Sequence, residues 1–220
     1  MRPKNIILVR HGQSIGNVDK SHYALTPDYR LQLTDVGMDQ AIQAGKVISD
    51  LVRNESVYAY YSPWIRTKQT FGCIHEQMPN KIVRALEDPR LREQDWGHYK
   101  EVEFLAKENA NRKEYGKFYF RLQDGESGAD VYDRISSFME TLHRDFQKPD
   151  YPENSLIVTH GVTLMIFCMR WFHWSVEEFE QYRNPHNGQV IVLGRDESRQ
   201  YRITSKLGRT TSSTPSTSPV

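Results

Sequence analysis

Hydrophobic positions fall into two patterns that alternate along the chain. Short unbroken runs, NIILV (5–9), SVYAYYS (56–62), KIVRAL (81–86) and SLIVT (155–159), are too short for helices and rich in β-branched or aromatic residues. Each predicts a strand. Between them the apolar spacing lengthens to that of a helix. Over 35–52, Ala41, Gly45, Ile48 and Val52 share one face, and Thr34 is placed to cap the first turn. Over 128–146, Val131, Ile135, Phe138, Leu142 and Phe146 recur at steps of four, three, four and four. A further helix is expected from Ser62, with Pro63 in its first turn, where the missing N–H costs nothing. Near the end, QVIVLG and QYRITS read as a hairpin across RDES. Strands alternating with helices predict an α/β fold with a mostly parallel central sheet and antiparallel edge strands.

No internal repeat or domain linker interrupts this pattern, so residues 1–208 are expected to form a single catalytic-sized domain. Residues 87–127 are charged and aromatic with weak periodicity. They read as a partly helical insertion that covers one edge of the sheet and roofs a pocket. The stretch RTTSSTPSTSPV (209–220) has no apolar period and is expected to be a disordered tail.

Composition narrows the setting. Lys and Arg total 29 against 28 Asp and Glu, a formal net charge of +1 that gives no support for a nucleic-acid or membrane-surface partner. The two cysteines, Cys73 and Cys168, form no CxxC pair, which points to a reducing compartment. No signal-peptide pattern opens the chain, and VTLMIFCMRWF (162–172) is shorter than the roughly 20 residues that span a bilayer. A cytoplasmic location is expected.

Reactive residues collect where strands end. The first run ends in Arg10-His11-Gly12. The second ends in Ser62-Pro63, with Arg66 in the helix that follows. The third is followed by LREQDWG, which contains Glu93, and the fourth ends in Thr159-His160-Gly161. In an open α/β sheet, ligands bind at the carboxyl ends of the strands, so parallel strands would bring two histidines, two arginines and a carboxylate to one edge. Paired guanidiniums suit an anion with several oxygens, phosphate first. A neutral imidazole is a competent nucleophile near neutral pH. No HExxH-like spacing suggests a metal, and no cofactor is implied.

Each residue alone has a plainer reading. A strand-end histidine is usually a surface residue, and a helix arginine is usually solvated. Glu87, Asp88 and Asp95 lie close enough to compete with Glu93. Glu126 and Asp130 are expected to complement a helix start. Arg92 and Arg121 read as solvated charges, and Trp171, Phe172 and Trp174 as core or a helix-end cluster. The remaining histidines have no motif around them.

Taken in order, LVRHGQS with Asn17, SPWIRTKQT, LREQDWG and IVTHGV resemble the signature stretches of the histidine phosphatase superfamily, in its phosphoglycerate-mutase-like branch. The resemblance covers residues 5 to about 194. FYFRLQDGESGADVYDR (118–134) is similar, more narrowly, to the broad-specificity acid phosphatases of fungi and their plant and protist relatives. The resemblance implies a three-layer α/β/α sandwich and a phosphomonoester as small-molecule partner. It implies His11 as a nucleophile that becomes phosphohistidine, with Arg10, Arg66 and His160 holding the phosphoryl group. Glu93 would protonate the leaving oxygen and later activate water. Gly12, Asn17 and Gly161 would contact the phosphate.

Two rivals share this chemistry. A phosphoglycerate mutase resembles ERHYG around its acidic residue, where this chain has REQDWGHYK, and its adjacent arginine pair has no match here. A sugar bisphosphatase would need further basic residues, for which Arg84, Arg90, Arg92 and Lys100 are available. An inactive phospholigand-binding scaffold is the distant alternative, since dead relatives typically lose the nucleophile, an arginine or the second histidine.

Overall fold

The computed structural model describes residues 2–97 and 102–210. Within them one sheet of six strands is formed by β1 (Asn5–Arg10), β2 (Val57–Tyr61), β3 (Ile82–Glu87), β4 (Asn154–Thr159), β5 (Val190–Arg195) and β6 (Tyr201–Ile203). Their spatial order is β3-β2-β4-β1-β5-β6. The first four are mutually parallel, β5 adds antiparallel beside β1, and β6 pairs antiparallel with β5. Helices α3 (Asp35–Val52) and α4 (Ile65–Glu76) cover one face, and α6 (Gly128–Asp145) and α7 (Gly161–Phe172) cover the other. The result is the expected three-layer sandwich.

The unbroken apolar runs follow from this double cover. Ile6 and Leu8 of β1 pack with Ile135 and Phe138 of α6 and with Leu164 and Phe167 of α7. The alternate residues Ile7 and Val9 pack with Ile48 and Val52 of α3 and Ile74 of α4. Each fully buried aliphatic side chain contributes about 1.5–3 kcal/mol relative to exposure. The caps at Thr34 and Ser127 form as helix starts require: Thr34 Oγ1 accepts from Gly37 N at 3.1 Å, and Ser127 and Asp130 make a reciprocal capping box.

Three expectations are corrected. α4 begins at Ile65, not Ser62, with Trp64 as its N-cap. Ser62 N still donates to Val158 O at 3.1 Å, so the sheet ladder holds that residue extended and Pro63 precedes the helix. The 87–127 segment leaves the edge strand open: Val83 and Leu86 of β3 are 61% and 42% exposed. It passes instead over the carboxyl ends of the strands, through a 3-10 turn at Pro89–Leu91 and α5 (Val102–Tyr115). The expected tail starts too early, because Arg209 pairs with Tyr182 and Thr210 N donates to Gln181 O at 2.7 Å. Residues 211–220, the rest of that expected tail, lie outside the described residues.

Sequence periodicity also passes over several short elements: α1 (Ile15–Val18), α2 (His22–Leu25), a 3-10 turn at Asp28–Arg30 and α8 (Val176–Glu180). No described helix is long and apolar enough to cross a membrane.

The loop after β1 is seated by two glycines. A Cβ on Gly12 would collide with the Gly37 carbonyl, and one on Gly37 with the backbone of Gln13. Backbone meets backbone here, so neither can yield cheaply. Gly37→Ala should therefore lower stability by about 1–3 kcal/mol, the range for overpacking. Gly72→Ala, in open space on α4, should be neutral or stabilising by up to about 1 kcal/mol. Urea midpoints of the two variants check this contrast, and equal midpoints would refute it.

Candidate active site

Register brings the two histidines together. β1 and β4 pair so that Arg10 faces Thr159, and His11 N donates to Thr159 O at 2.9 Å. The next residue on each strand is a histidine, and their rings sit edge to face with centroids 5.2 Å apart. His11 is 3% exposed and His160 is fully buried.

The tautomer of His11 follows from its neighbours. Nδ1 lies 2.6 Å from the Gly12 carbonyl, which can only accept, and Arg66 Nε, which can only donate, points at Nε2 from 3.3 Å. The proton is therefore on Nδ1, and the Nε2 lone pair faces Arg66. Burial holds the His11 pKa well below the usual imidazole value, helped by the charges of Arg66 and Arg10. His160 is lowered in the same way, by burial first and then Arg66. Its Nε2 is 2.8 Å from Ser62 Oγ, while Nδ1 is buried with no hydrogen-bond partner among the described residues.

Each arginine is anchored at one end. Arg66 Nη1 donates to both the carbonyl and the carboxylate of Asp28 at 2.7 Å, and its guanidinium lies over Trp64. Arg10 Nη1 donates to Pro185 O at 2.6 Å, and its Nε is buried without a partner among the described residues. An unpaired buried donor is costly, and both arginines line the cavity beside His11, where an oxyanion would need donors.

Among the four acidic residues considered at this loop, Glu93 is the one that lines the cavity. Glu87 pairs with Lys68, Asp88 pairs with Arg90, and Asp95 is exposed. The Glu93 carboxylate sits at the N-terminus of α7, accepting from Val162 N at 3.3 Å and from Thr163 N at 3.1 Å. Its loop is clamped by Arg134 of α6, which donates to the carbonyls of Arg90, Arg92 and Glu93 at 2.6–3.1 Å. Glu126 completes the clamp, pairing with Arg134 and Arg92. Its expected role at the helix start belongs to Asp130 alone.

The cavity between these groups measures about 220 Å³. Of the residues picked out in the sequence, Arg10, His11, Asn17, Arg66 and Glu93 line it. His160 does not line it and packs edge to face against His11. Gly12 and Gly161 do not line it. The Gly12 N–H is taken by Thr70 Oγ1 at 3.1 Å, and Gly161 lets Arg10 Nε approach to within 3.4 Å of where a Cβ would stand. Both glycines allow close packing at these positions. Asn17 has its amide oxygen engaged by Ser14 and Asn187, which leaves the NH₂ end for the cavity.

Of the basic residues considered for a bisphosphatase, none that is described lines the cavity. Arg84 lies on exposed β3 over Tyr58, Arg90 and Arg92 are ion-paired, and Lys100 is outside the described residues. The added cation is Lys20, whose pKa is lowered by burial and by Arg10. Tyr23, its phenol pushed up to about 12 chiefly by burial, and Asp28, raised by burial against the pull of Arg66, were also missed. So were Trp96, Asn109 and Asn184. All six sit on short turns or irregular segments, or in the weakly periodic insertion. Among the described residues no three His, Cys, Asp or Glu side chains cluster as a metal site would need.

Residues 6–206 match the sequence model of the histidine phosphatase superfamily (branch 1). "Phosphoglycerate mutase-like protein AT74" of Arabidopsis thaliana is 40% identical over 91% of this chain and 68% of its own length. "Broad-range acid phosphatase DET1" of Saccharomyces cerevisiae is 29% identical, over 90% of this chain and 87% of its own. A mycobacterial glucosyl-3-phosphoglycerate phosphatase solved with VO3 superposes with a TM-score of 0.71 at 20% identity, over 94% of this chain and all of that one. The matched span takes in all four strand ends that furnish the cavity, and the chain belongs to the histidine phosphatase superfamily.

Proposed function

We propose that this chain is a phosphomonoester hydrolase that needs no metal and works through a phosphohistidine at His11 Nε2. The observation that carries the reading is a neutral imidazole whose lone pair faces a guanidinium at the wall of a small cavity. Attack by Nε2 on phosphorus forms the N–P bond as the P–O ester bond breaks, and Glu93 gives its proton to the departing oxygen. Water then attacks the phosphoryl group and loses a proton to Glu93, and the N–P electron pair returns to Nε2. Arg66, Arg10 and His160 offset charge on the phosphoryl oxygens, since this reaction rests on positioning and charge stabilisation. The Arg66 Nε–H that now faces Nε2 turns to a phosphoryl oxygen once phosphorus takes its place. Two free, buried cysteines fit the reducing cytoplasm as its compartment.

A phosphoglycerate mutase is the second reading, and Lys20 at the cavity favours it because a cation there suits a substrate with another acidic group. Hydrolysis of p-nitrophenyl phosphate should persist in EDTA and fall by roughly 10⁴-fold or more in His11→Ala. Wild type should release phosphate from 3-phosphoglycerate faster than it exchanges the phosphate position with 2,3-bisphosphoglycerate present. Fast exchange with little release would install the mutase reading, and no turnover of any ester would defeat both.

Glu93 should matter in proportion to how poor the leaving group is. Glu93→Gln is expected to slow an alkyl phosphate by ~10²–10³-fold and p-nitrophenyl phosphate by less than ~10-fold. Arg134→Met should show the same signature more weakly, because it loosens the loop that aims Glu93. A uniform loss across esters would assign Glu93 to structure instead.

The lowered His11 pKa fixes a sign. Its nucleophilic form is lost only when pH falls through that lowered value, so the acid limb of kcat/KM assigned to His11 should lie below 6.5. Stability should move in the same sense. Below 6.5 the unfolded histidines bind protons that buried His11 and His160 refuse, so the urea midpoint should drop as pH falls. A midpoint that rises on acidification from pH 7 to 5 would contradict this.

A further inference from the structure

The far end of α7 carries a second cationic cleft that the proposed chemistry does not use. It measures about 540 Å³ and is lined by Arg2, His143, Arg170, His173 and Arg199, with Trp171 and Tyr201 among its other walls. Glu140 is the lone carboxylate in its lining. The 12 residues of α7 separate it from His160, roughly 18 Å of helix. Nor does the cluster follow from a basic chain, because positive and negative residues balance at 29 to 28.

Most arginines near the candidate active site are neutralised, as Arg66, Arg90, Arg92 and Arg134 show by their carboxylate partners. The arginines of this cleft are not. Arg170 Nε donates to Ser136 Oγ at 3.1 Å with its guanidinium near the Tyr132 ring, a contact that holds the group but leaves its charge uncompensated. Among the described residues neither Arg170, Arg2 nor Arg199 forms an ion pair. The backbone adds an independent sign. His173 and Arg199 sit at φ 56° and 63°, left-handed positions that glycine or asparagine would occupy with less strain. Both place a side chain in the lining of the same cleft.

We propose that this cleft binds a small soluble anion bearing two or more phosphate groups, held by Arg2, Arg170 and Arg199 with His143 and His173 at its rim. Three guanidiniums line the cleft, Arg170 held by Ser136 and Arg2 and Arg199 exposed at its edge; together they offer more charge than one phosphate can meet, and Arg forks match phosphate oxygens in pairs. The cleft also has more than twice the volume of the catalytic cavity.

His143 reports on occupancy. Its pKa lies below the ordinary value through partial burial and the charges of Arg2 and Arg170. Arg170, His173, Arg199 and Arg2 face it from other elements and Glu140 from its own helix, so an added polyanion should raise its titration midpoint. The probe is inorganic tripolyphosphate, titrated into histidine-labelled protein, with His143→Gln used to assign the resonance. Expected are a saturable shift of His143 and a higher midpoint. Affinity should fall at least tenfold in Arg2→Gln/Arg199→Gln, two exposed positions, while p-nitrophenyl phosphate turnover stays at the wild-type rate. An unmoved His143 resonance would overturn the proposal. So would equal affinity in the double variant, or a non-saturating shift that sulfate at matched ionic strength reproduces.

Discussion

Arg10 faces Thr159 across the parallel pair β1–β4, and everything the cavity contains depends on that register. Because parallel neighbours run in step, the residue after each strand leaves the sheet at the same height. One side of the pair then delivers His11, the other His160. A slip of one residue would reverse the faces of β1, driving Ile7 and Val9 toward α6 and α7 and His11 away from its partner. The hydrophobic contacts that forbid the slip are the same ones that hold the core, so the fold and the site are specified by one set of side chains. The glycine pair at 12 and 37 then fixes how the chain leaves β1.

The site that results is electrostatically unusual in a way that suits its proposed task. Two imidazoles are buried next to two guanidiniums, a combination that would be untenable were either imidazole protonated. Burial and positive neighbours act in the same direction on both rings. The arginines remain tolerable because each is tied at its outer end, Arg66 to Asp28 and Arg10 to the Pro185 carbonyl. Their inner edges stay directed at His11 and the space beside it. A dianionic group entering there would meet donors already oriented, with little reorganisation left to perform.

Much of this was legible in the chain because strands announce themselves. The runs at 5–9 and 155–159 are continuous and β-branched, and the histidines follow them directly, so topology alone predicts the meeting of His11 and His160. Glu93 was harder: it lies on an irregular loop, and only contacts distant in sequence distinguish it from Glu87, Asp88 and Asp95. Lys20, Tyr23 and Asp28 were invisible for a related reason, since Tyr23 and Asp28 sit on elements of three or four residues and Lys20 in the turn before them, all too short for any period to show. The seat of Gly12 against Gly37 was not legible, because a glycine beside a reactive residue looks the same whether it makes room for a ligand or for another backbone. Proline 63 misled in the other direction. Its preference for a first helical turn is real, but Ser62 was already committed to the sheet by its bond to Val158.

The placement of Glu93 shows how the two halves of the proposed reaction are kept in register. α7 begins at His160, its N-cap, and the free N–H groups of its first turn, on Val162 and Thr163, receive the Glu93 carboxylate. A helix start is a natural anion seat, and here it is filled by a side chain from a loop that Arg134 clamps from α6. The strand that aligns His160 with His11 therefore also carries the helix that aligns Glu93. Any motion of α7 relative to β1 would displace the proposed proton donor and one arm of the phosphoryl clamp together, while the nucleophile stayed with β1. The packing of Leu164 and Phe167 against Ile6 and Leu8 resists that motion, so a purely apolar contact beneath the sheet's edge sets the distance across which the chemistry would occur.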